Sequence, residues 1–337
     1  MKILFVAGTL GKGGAERQLF YLCKLLKQEQ YQVKIISLTK GEFYENEIKN
    51  LDIEIQNIDA TTSKLGKLFK IYKIAKHYNP TILYGFHFYT GIYVGLVGRV
   101  LRKISIGSIR SNGIAEKKSN GVLAWLHYSC PKIIVANSNN AIENVKRIFY
   151  HKDIRYLPNI IDLDYFAFKP KEADKHLRLL FIGSLKDIKQ PQLFIQLVAL
   201  LASENQKIKA KIIGEGNLED ELKIKAKELP IEFLGNRDDV RPYLYEADYL
   251  ISTSKFEGTP NVMLEAFATG TPVLALYHEA LSDWIKKGYL IKTNTLEDMK
   301  LVLFEKRKMN VKLNRTFLEE AHISQKVFSS FINFCNH

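Results

Sequence analysis

Short strand-like segments and helix-like segments alternate along almost the whole of this 337-residue chain. Runs such as KILFVAG, VKIISLT and KIIVANS are apolar and rich in β-branched residues, and helical patterns separate them. The alternation starts again at LRLLFIG, after a segment of turn residues around 158–172. Strands that alternate with helices form parallel sheets with helices on both faces. The pattern therefore predicts an α/β chain with two doubly wound, Rossmann-like domains, at residues 1–165 and 166–314.

Cysteine spacing and hydropathy indicate the cellular compartment of the chain and whether it spans a membrane. The three cysteines are far apart and form no C-x-x-C pair: Cys23, Cys130 and Cys335. They suggest a reducing compartment without a disulfide framework. We expect no signal peptide, since the apolar run after Lys2 is short and ends in a glycine-rich loop. Residues 82–98 carry no Asp, Glu, Lys or Arg, but the glycines between 85 and 91 predict a buried strand followed by a helix, not a membrane span.

The formal charge of +13 belongs mainly to the first half of the chain. Residues 1–165 have 24 basic and 13 acidic side chains, a net of +11, and residues 166–337 have 25 and 23, a net of +2. Within the first half, the segment KLGKLFKIYKIAKHY has a lysine at every third position: Lys64, Lys67, Lys70, Lys73 and Lys76. Its apolar residues share one arc of a helix: Leu65, Leu68, Phe69, Ile71, Tyr72 and Ala75. The segment predicts a basic amphipathic helix.

Two interpretations of this helix remain open. It could pack on its sheet with the lysines in solvent. Alternatively, the lysine face of the helix could lie on anionic lipid, where the attraction contributes about 1 kcal/mol for each basic residue near the surface. Further cations of the first half would then join it: Arg99, Arg102, Lys103, Lys117 and Lys118. Nucleic acid is not an expected partner, because no recognised nucleic-acid-binding motif accompanies the charge.

The segment SKFEGTPNVMLEAFATGTPV, residues 254–273, carries the most chemistry. Thr259 and Pro260 suit the N-cap and first position of a helix, so the helix should begin at residue 260. Its first free N–H groups would attract an anion such as phosphate, and Gly258 would allow close approach. Glu257 and Glu265 would flank that anion and face donors such as sugar hydroxyls. The alternative is an ordinary capped helix packed on a core, with both carboxylates in solvent.

This segment resembles the signature of glycosyltransferase family 4, the group 1 glycosyl transferases, which are retaining enzymes with the GT-B fold. The matching residues are Ser254, Glu257, Gly258, Pro260, Asn261, Leu264, Glu265, Ala266, Ala268, Gly270, Pro272 and Val273. The resemblance implies two domains that face a cleft, with a last helix at about 315–335 that crosses back to the first. It places Glu257 at the transferred sugar as a catalytic residue and Glu265 at the ribose. Gly258, Asn261 and Val262 would hold the diphosphate.

Other segments extend the resemblance on the donor side. GTLGKGGAER, after the first strand, is not a Walker A loop, but it resembles the family loop that faces the donor, with Gly13 and Gly14 near the diphosphate. LLFIGSLKDIKQ resembles a second family pattern, in which Lys189 would bind the diphosphate. Ser184 replaces the family arginine there, so either its hydroxyl or Lys186 would have to compensate. Two glycine-containing turns, IIGEGN and FLGNRDD, resemble those around the nucleotide base, which adds these candidates: Gly214, Glu215, Gly216, Asn236 and Arg237.

Candidates on the acceptor side are fewer. His87 occupies the place of a family histidine, and Asn112 stands where the family often has a second one. Asparagine can orient a hydroxyl but cannot take up its proton. Arg17 and Arg110 join Lys67, Lys70 and Lys73 as candidates for the acceptor or membrane face.

No metal or other cofactor is expected. The triplet Asp162-Leu163-Asp164 imitates a D-x-D metal motif of a different fold, but it falls in the expected hinge. The histidines show no metal-ligand spacing.

Together these features predict a retaining, hexosyltransferase-type glycosyltransferase. The donor would be a UDP- or GDP-linked sugar, and the acceptor a lipid-linked glycan or glycolipid of surface polysaccharide synthesis. The protein would be cytoplasmic and peripheral on the inner face of the membrane. Two alternatives stay open: a nucleotide-sugar epimerase of the same fold, and a non-catalytic membrane-surface protein.

Overall fold

The computed structural model describes residues 1–113, 121–171, 175–204, 206–305 and 311–335. Lys117 and Lys118 lie outside the described residues. The chain divides into two compact units, the first Met1–Ile160 with the segment from Ser324, and the second Ile161–Ile323. The division falls a few residues before the predicted boundary at 165.

The first unit is built on a parallel sheet of seven strands in the order β3-β2-β1-β4-β5-β6-β7. The strands are β1 Lys2–Ala7, β2 Gln32–Ser37, β3 Glu54–Asn57, β4 Ile82–Gly85, β5 Ile104–Ile109, β6 Ile133–Ala136 and β7 Asp153–Tyr156. The helices are α1 Gly14–Gln28, α2 Phe43–Lys49, α3 Lys64–Tyr78, α4 Gly91–Leu101, α5 Val122–Ser129 and α6 Asn139–Lys146, joined by the last helix of the chain, Ser324–Cys335. The strand order reverses between β1 and β4.

Both faces of this sheet are buried, which explains why its strands are apolar at nearly every position. Along β1, Phe5 lies in the core shared with α1 and the last helix, and Val6 lies in the core shared with α3 and α4. Successive side chains of a strand point to opposite faces, so one short strand contributes to both cores.

The second unit is built on a parallel sheet of five strands in the order β10-β9-β8-β11-β12. The strands are β8 Leu177–Ile182, β9 Ile208–Ile213, β10 Ile231–Phe233, β11 Tyr249–Ser252 and β12 Val273–Ala275. The helices are α7 Pro191–Ser203, α8 Glu219–Lys225, α9 Arg241–Glu246, α10 Asn261–Thr269, α11 Ser282–Lys286, α12 Leu296–Phe304 and α13 Val311–Ala321. Leu180 and Phe181 of β8 again belong to different cores. The order reverses between β8 and β11, and the predicted class of two doubly wound α/β sheets is confirmed.

The C-terminal segment differs from the single helix predicted at 315–335. It forms two helices, of which α13 belongs to the second unit and α14, Ser324–Cys335, to the first. The N–H groups of His322 and Ile323 both bond to the carbonyl of Leu318, and the His322 carbonyl accepts the N–H of Ile161 at 2.9 Å. The His322 carbonyl therefore bonds to a residue outside the helix, and α13 ends at Ala321.

The basic helix α3 begins and ends within the predicted segment, but its apolar arc is divided. Ile71 and Ala75 are buried on the sheet, whereas Leu65 is 79% and Phe69 56% exposed. Residues 82–98 form the predicted strand and helix. Within the described residues, no helix is long and apolar enough to cross a membrane.

Candidate active site

The strongest cluster of candidate residues lies where the strand order of the second sheet reverses. Lys189 follows β8 and Glu257 follows β11, and these two strands are neighbours. The Lys189 Nζ donates a hydrogen bond to the Glu257 carboxylate, and the two side chains are 24% and 18% exposed. In open parallel sheets, ligands bind outside the carboxyl ends of the strands at this reversal. The structure therefore joins two predicted site residues as a partly exposed ion pair at the expected place.

The hydroxyl groups of Thr253 and Ser254 position this ion pair. The hydroxyl of fully buried Thr253 lies 2.9 Å from the carbonyl oxygens of Lys189 and Gln190, to which it can donate. Ser254 Oγ donates to Glu257 Oε1 at 2.9 Å. The loop after β11 thus fixes both the backbone that carries the lysine and the carboxylate that faces it.

Helix α10 begins one residue later than predicted. Pro260, not Thr259, is the N-cap, with an extended backbone (φ −70°, ψ 116°), and its carbonyl accepts the N–H groups of Met263 and Leu264 at 3.2 and 3.4 Å. An N-cap residue lies outside the helical region while its carbonyl receives the first helical bond, which explains the correction. The Met263 N–H is therefore already used.

The remaining signature residues lie around this helix start. Gly258 is buried, and Asn261 and Val262 are partly exposed at the first turn. Glu265 is only 3% exposed, so the alternative in which it is solvated is wrong. The helix N-terminus and the Lys189–Glu257 pair therefore border the same edge of the sheet.

The remaining donor-side candidates follow β8, β9 and β10, with the two predicted base turns after β9 and β10. Ser184 follows β8, and its carbonyl accepts the Lys186 N–H at 2.9 Å. Gly214 has φ 134°, and a Cβ there would lie 2.0 Å from the Gly183 carbonyl oxygen, so the close approach of these two turns requires glycine. Asn236 donates its side-chain N–H to Glu215 Oε2 at 2.8 Å. These contacts tie the three turns into one rim.

The first unit has a corresponding cluster at its own strand reversal, between β1 and β4. The Gly8 N–H donates to His87 Nδ1 at 3.0 Å, and His87 Nε2 lies 3.1 Å from Glu16 Oε1. Because Nδ1 accepts, Nε2 must carry the proton and donate it to Glu16. Both ring nitrogens of His87 are therefore engaged in hydrogen bonds. In this arrangement the histidine joins the glycine loop to α1.

The glycine loop itself is tightly packed. A Cβ on Gly8 would lie 1.8 Å from the Tyr89 hydroxyl, and one on Gly13 would lie 2.2 Å from Glu16 Oε2. Gly13 is the N-cap of α1, Gly14 is its first residue, and the Arg17 N–H bonds to the Gly13 carbonyl at 3.1 Å. The predicted loop residues therefore form the start of α1.

Glu42, which the sequence did not single out, holds the other end of this loop. Its carboxylate accepts hydrogen bonds from the hydroxyls of Thr9 at 2.7 Å and Thr39 at 2.6 Å, and from the Leu10 N–H. Burial acts to raise the pKa of Glu42, but the bonds from Thr39, Leu10 and Thr9 outweigh it and hold the pKa below its ordinary value. Its position in the sequence could have identified Glu42, because it follows β2 and so lies at the same edge of the sheet.

Arg110 and Asn112 follow β5. The Arg110 guanidinium lies 4.2 Å from the centre of the Phe86 ring and donates from Nη1 to Asn159 Oδ1 at 3.2 Å. Burial lowers the pKa of Arg110, against the opposing effect of Tyr84. Arg110 is thus a partly exposed residue that stacks on Phe86 and bonds to Asn159. The Asn112 carbonyl accepts the Asn144 side chain at 3.0 Å.

The D-x-D triplet forms a turn. Asp162 Oδ1 accepts the N–H groups of Asp164 at 3.1 Å and Tyr165 at 2.9 Å. Across the described ranges, no group of three or more His, Cys, Asp and Glu side chains could hold a metal ion.

Two family models match the chain. The model described as Glycosyltransferase Family 4 matches residues 12–165, and the model described as Glycosyl transferases group 1 matches residues 176–302.

Similar curated proteins span most of the chain. One is the GalNAc-α-(1→4)-GalNAc-α-(1→3)-diNAcBac-PP-undecaprenol α-1,4-N-acetyl-D-galactosaminyltransferase of Campylobacter jejuni, 29% identical over 86% of this chain and 83% of that protein. Another is the UDP-Gal:α-D-GlcNAc-diphosphoundecaprenol α-1,3-galactosyltransferase of Escherichia coli, 22% identical over 84% of this chain and 82% of that protein.

Solved structures share the fold across the full chain. HepE of Anabaena, in complex with UDP and glucose, has a TM-score of 0.83 at 16% identity and covers 100% of this chain and 99% of that one. TarM of S. aureus has a TM-score of 0.81 at 14% identity, with the same coverage. The architecture of two parallel-sheet α/β units is thus the GT-B fold.

Proposed function

Since the chain belongs to glycosyltransferase family 4, we propose that it is a retaining hexosyltransferase that moves a sugar from a nucleotide diphosphate sugar to a lipid-linked glycan or glycolipid. The Lys189–Glu257 pair at the strand reversal of the second unit carries this proposal, because it combines a phosphate-binding cation with a carboxylate for a sugar. Surface polysaccharide synthesis is the process in which such a transfer would take part.

The pair also suggests how the donor prepares its own site. The Lys189 Nζ donates a hydrogen bond to the Glu257 carboxylate. A diphosphate carries more negative charge than one carboxylate, so it would draw the lysine away. Glu257 would then face the transferred sugar, still held by the Ser254 hydroxyl. HepE binds UDP, glucose and UDP-glucose. Those ligands support UDP or a UDP-linked sugar as the ligand of the donor site in this chain.

The transfer needs no resident cofactor. The bond between the sugar and the diphosphate oxygen breaks, a bond to the acceptor hydroxyl oxygen forms on the same face of the sugar, and the hydroxyl proton passes to a phosphate oxygen of the leaving nucleotide. The protein has to place these groups and stabilise charge on the leaving diphosphate. Lys189 and the N-terminus of α10 would perform the second task.

A lipid-linked acceptor is supported by the names of relatives. The Campylobacter and Escherichia enzymes have diphosphoundecaprenol-linked glycans in their printed names. In this chain the acceptor would bind to the first unit, where His87, Asn112 and Arg110 follow β4 and β5.

An anionic membrane surface is a further proposed partner, and the helical layer formed by α3, α4 and α5 supports it. Helix α4 packs against both α3 and α5. The layer exposes large apolar side chains, Leu65 79%, Phe69 56%, Val100 69% and Trp125 56%. Next to α4 lies a pocket of about 490 Å³ whose lining includes five cations: Arg99, Arg102, Lys103, Lys132 and Lys152. Exposed apolar residues among cations are typical of a surface that lies on anionic lipid.

This arrangement would place the protein on the cytoplasmic side, peripheral on the inner face of the membrane. Cys23 and Cys130 are free and buried, as suits a reducing compartment.

A thermal-shift screen tests the donor. UDP-, GDP- and ADP-linked sugars are compared, since a bound ligand stabilises the folded protein by RT ln(1 + [L]/Kd). We expect one nucleotide class to raise the Tm. A protein stabilised by none of them, but bound tightly to anionic liposomes, would instead be a non-catalytic membrane-surface protein. Conversion of a UDP-sugar without any acceptor would indicate an epimerase.

A further inference from the structure

A buried histidine that matches no sequence motif lies at the same sheet edge as the candidate donor site. His278 follows β12, the strand next to β11, and is 8% exposed. The Tyr277 N–H bonds to the Thr293 carbonyl at 2.7 Å, and the His278 carbonyl accepts the Leu281 N–H at 2.9 Å. The backbone is therefore fixed on both sides of this residue.

Both ring nitrogens of His278 lack a hydrogen-bond partner among the described residues. Buried polar groups are nearly always paired, and an unpaired one is destabilising. Burial lowers the pKa of His278 to about 4; Glu257 acts to raise the pKa and Lys189 to lower it. At neutral pH the ring is therefore uncharged, with one N–H donor and one bare acceptor nitrogen.

His278 follows β12 and Glu257 follows the neighbouring strand β11, so the two residues lie at the same edge of the sheet. We propose that His278 binds the transferred sugar of the donor and helps to determine which sugar is accepted. One hydroxyl would donate to the bare nitrogen, and another sugar oxygen would accept the N–H. A phosphate fits less well, since its oxygens accept but do not donate, and one nitrogen would stay unpaired. This inference rests on the proposed function of the Lys189–Glu257 site.

The test distinguishes the contribution of the sugar to binding from that of the nucleotide. Isothermal titration measures the Kd of wild type for UDP, UDP-glucose, UDP-N-acetylglucosamine, GDP and GDP-mannose. The nucleotide that binds, with and without its sugar, is then titrated into His278→Phe and His278→Gln. The control is His127→Phe, which alters a buried histidine of the first unit that also has a pKa lowered to about 4.

We expect His278→Phe to weaken binding of the nucleotide sugar by about tenfold, with the Kd of the nucleotide alone unchanged. His278→Gln keeps a donor and an acceptor and should restore part of the difference, and His127→Phe should match wild type. Equal effects of His278→Phe on nucleotide and nucleotide sugar, or no effect on either, would overturn the inference and leave the proposed function standing. A wild-type protein that binds none of the five ligands would overturn both.

Discussion

At the scale of single residues, the site depends on carboxylates and histidines that follow parallel strands. Glu257 was predictable because its spacing to Pro260 and Glu265 matches a family signature. Glu42 and His278 match no motif, and a short loop after a strand can place its side chains in many ways. Only the folded contacts show that Glu42 accepts the Leu10 N–H and that the ring of His278 is buried.

The ion pair predicts a specific role for Lys189. Lys189→Gln should raise the Kd for the nucleotide sugar about 10- to 100-fold, because a hydrogen bond between charged groups contributes about 1.5–3 kcal/mol. Titration calorimetry measures it. Lys227→Gln, at an exposed position of the same unit, is the control and should bind as wild type does. An unchanged Kd in Lys189→Gln would remove the lysine from the donor site.

Two of the buried histidines predict a pH dependence of stability. His127 and His278 have an ordinary pKa of 6.5 that burial lowers to about 4 in the folded protein. Between these values the unfolded chain binds protons that the folded protein does not. The free energy of unfolding should therefore fall as the pH drops from 6.5 towards 4, by about 1.4 kcal/mol per pH unit for each histidine.

Urea unfolding at pH 7 and pH 5 checks this dependence. His278→Phe and His127→Phe should each lose less stability between the two pH values than wild type does. A variant with the same loss as wild type would show that its histidine titrates normally in the folded state.

Glu42 predicts a local defect in the glycine loop. Glu42→Ala would leave the Leu10 N–H without its acceptor, at a cost of about 1–3 kcal/mol. Hydrogen exchange should show faster exchange around Leu10 than in wild type. Glu47→Ala changes an exposed carboxylate of α2 and should leave the loop unchanged. Equal protection of Leu10 in both variants would contradict the role given to Glu42.

At the scale of elements, the longest periodic segments were the most predictable. Helix α1 and the basic helix α3 have strong patterns over 15 residues and agree with the sequence. Short helices were predicted unevenly: α8 and α9, with 7 and 6 residues, were expected, whereas α2 and α11, with 7 and 5 residues, were not. The position of Pro260 was also misjudged, because proline suits both the N-cap and the first turn of a helix.

Helix α3 shows what periodicity alone cannot decide. Leu65 and Phe69 share an arc with Ile71, but only Ile71 meets the sheet. If these exposed residues enter a membrane surface, the double variant Leu65→Ser and Phe69→Ser should bind anionic vesicles at least tenfold more weakly, because burying such a side chain contributes about 1.5–3 kcal/mol.

Vesicle sedimentation measures this binding. The control is Ile224→Ser, which changes a 76% exposed apolar residue on α8 of the second unit and should bind as wild type does. Equal binding by the double variant and the control would show that α3 is an ordinary surface helix.

At the scale of the whole molecule, charge and chemistry are distributed over the two units. The basic excess belongs to the first half of the chain, and the Lys189–Glu257 ion pair belongs to the second. The sequence predicted two doubly wound sheets because repeated alternation of strand and helix leaves few other folds. It did not predict that α13 would belong to the second unit and α14 to the first, because the sequence predicts one continuous helix there.

Glu257 links the fold to the proposed reaction, and its removal tests the account most directly. The measurement is the rate of sugar transfer to lipid-linked acceptor at saturating donor by wild type, Glu257→Gln and the control Glu232→Gln, which changes an exposed residue of β10. We predict that Glu257→Gln lowers kcat at least a hundredfold while it still binds the nucleotide, because the carboxylate acts at the transferred sugar. Glu232→Gln should transfer at the wild-type rate. Transfer by Glu257→Gln as fast as by wild type would contradict the account.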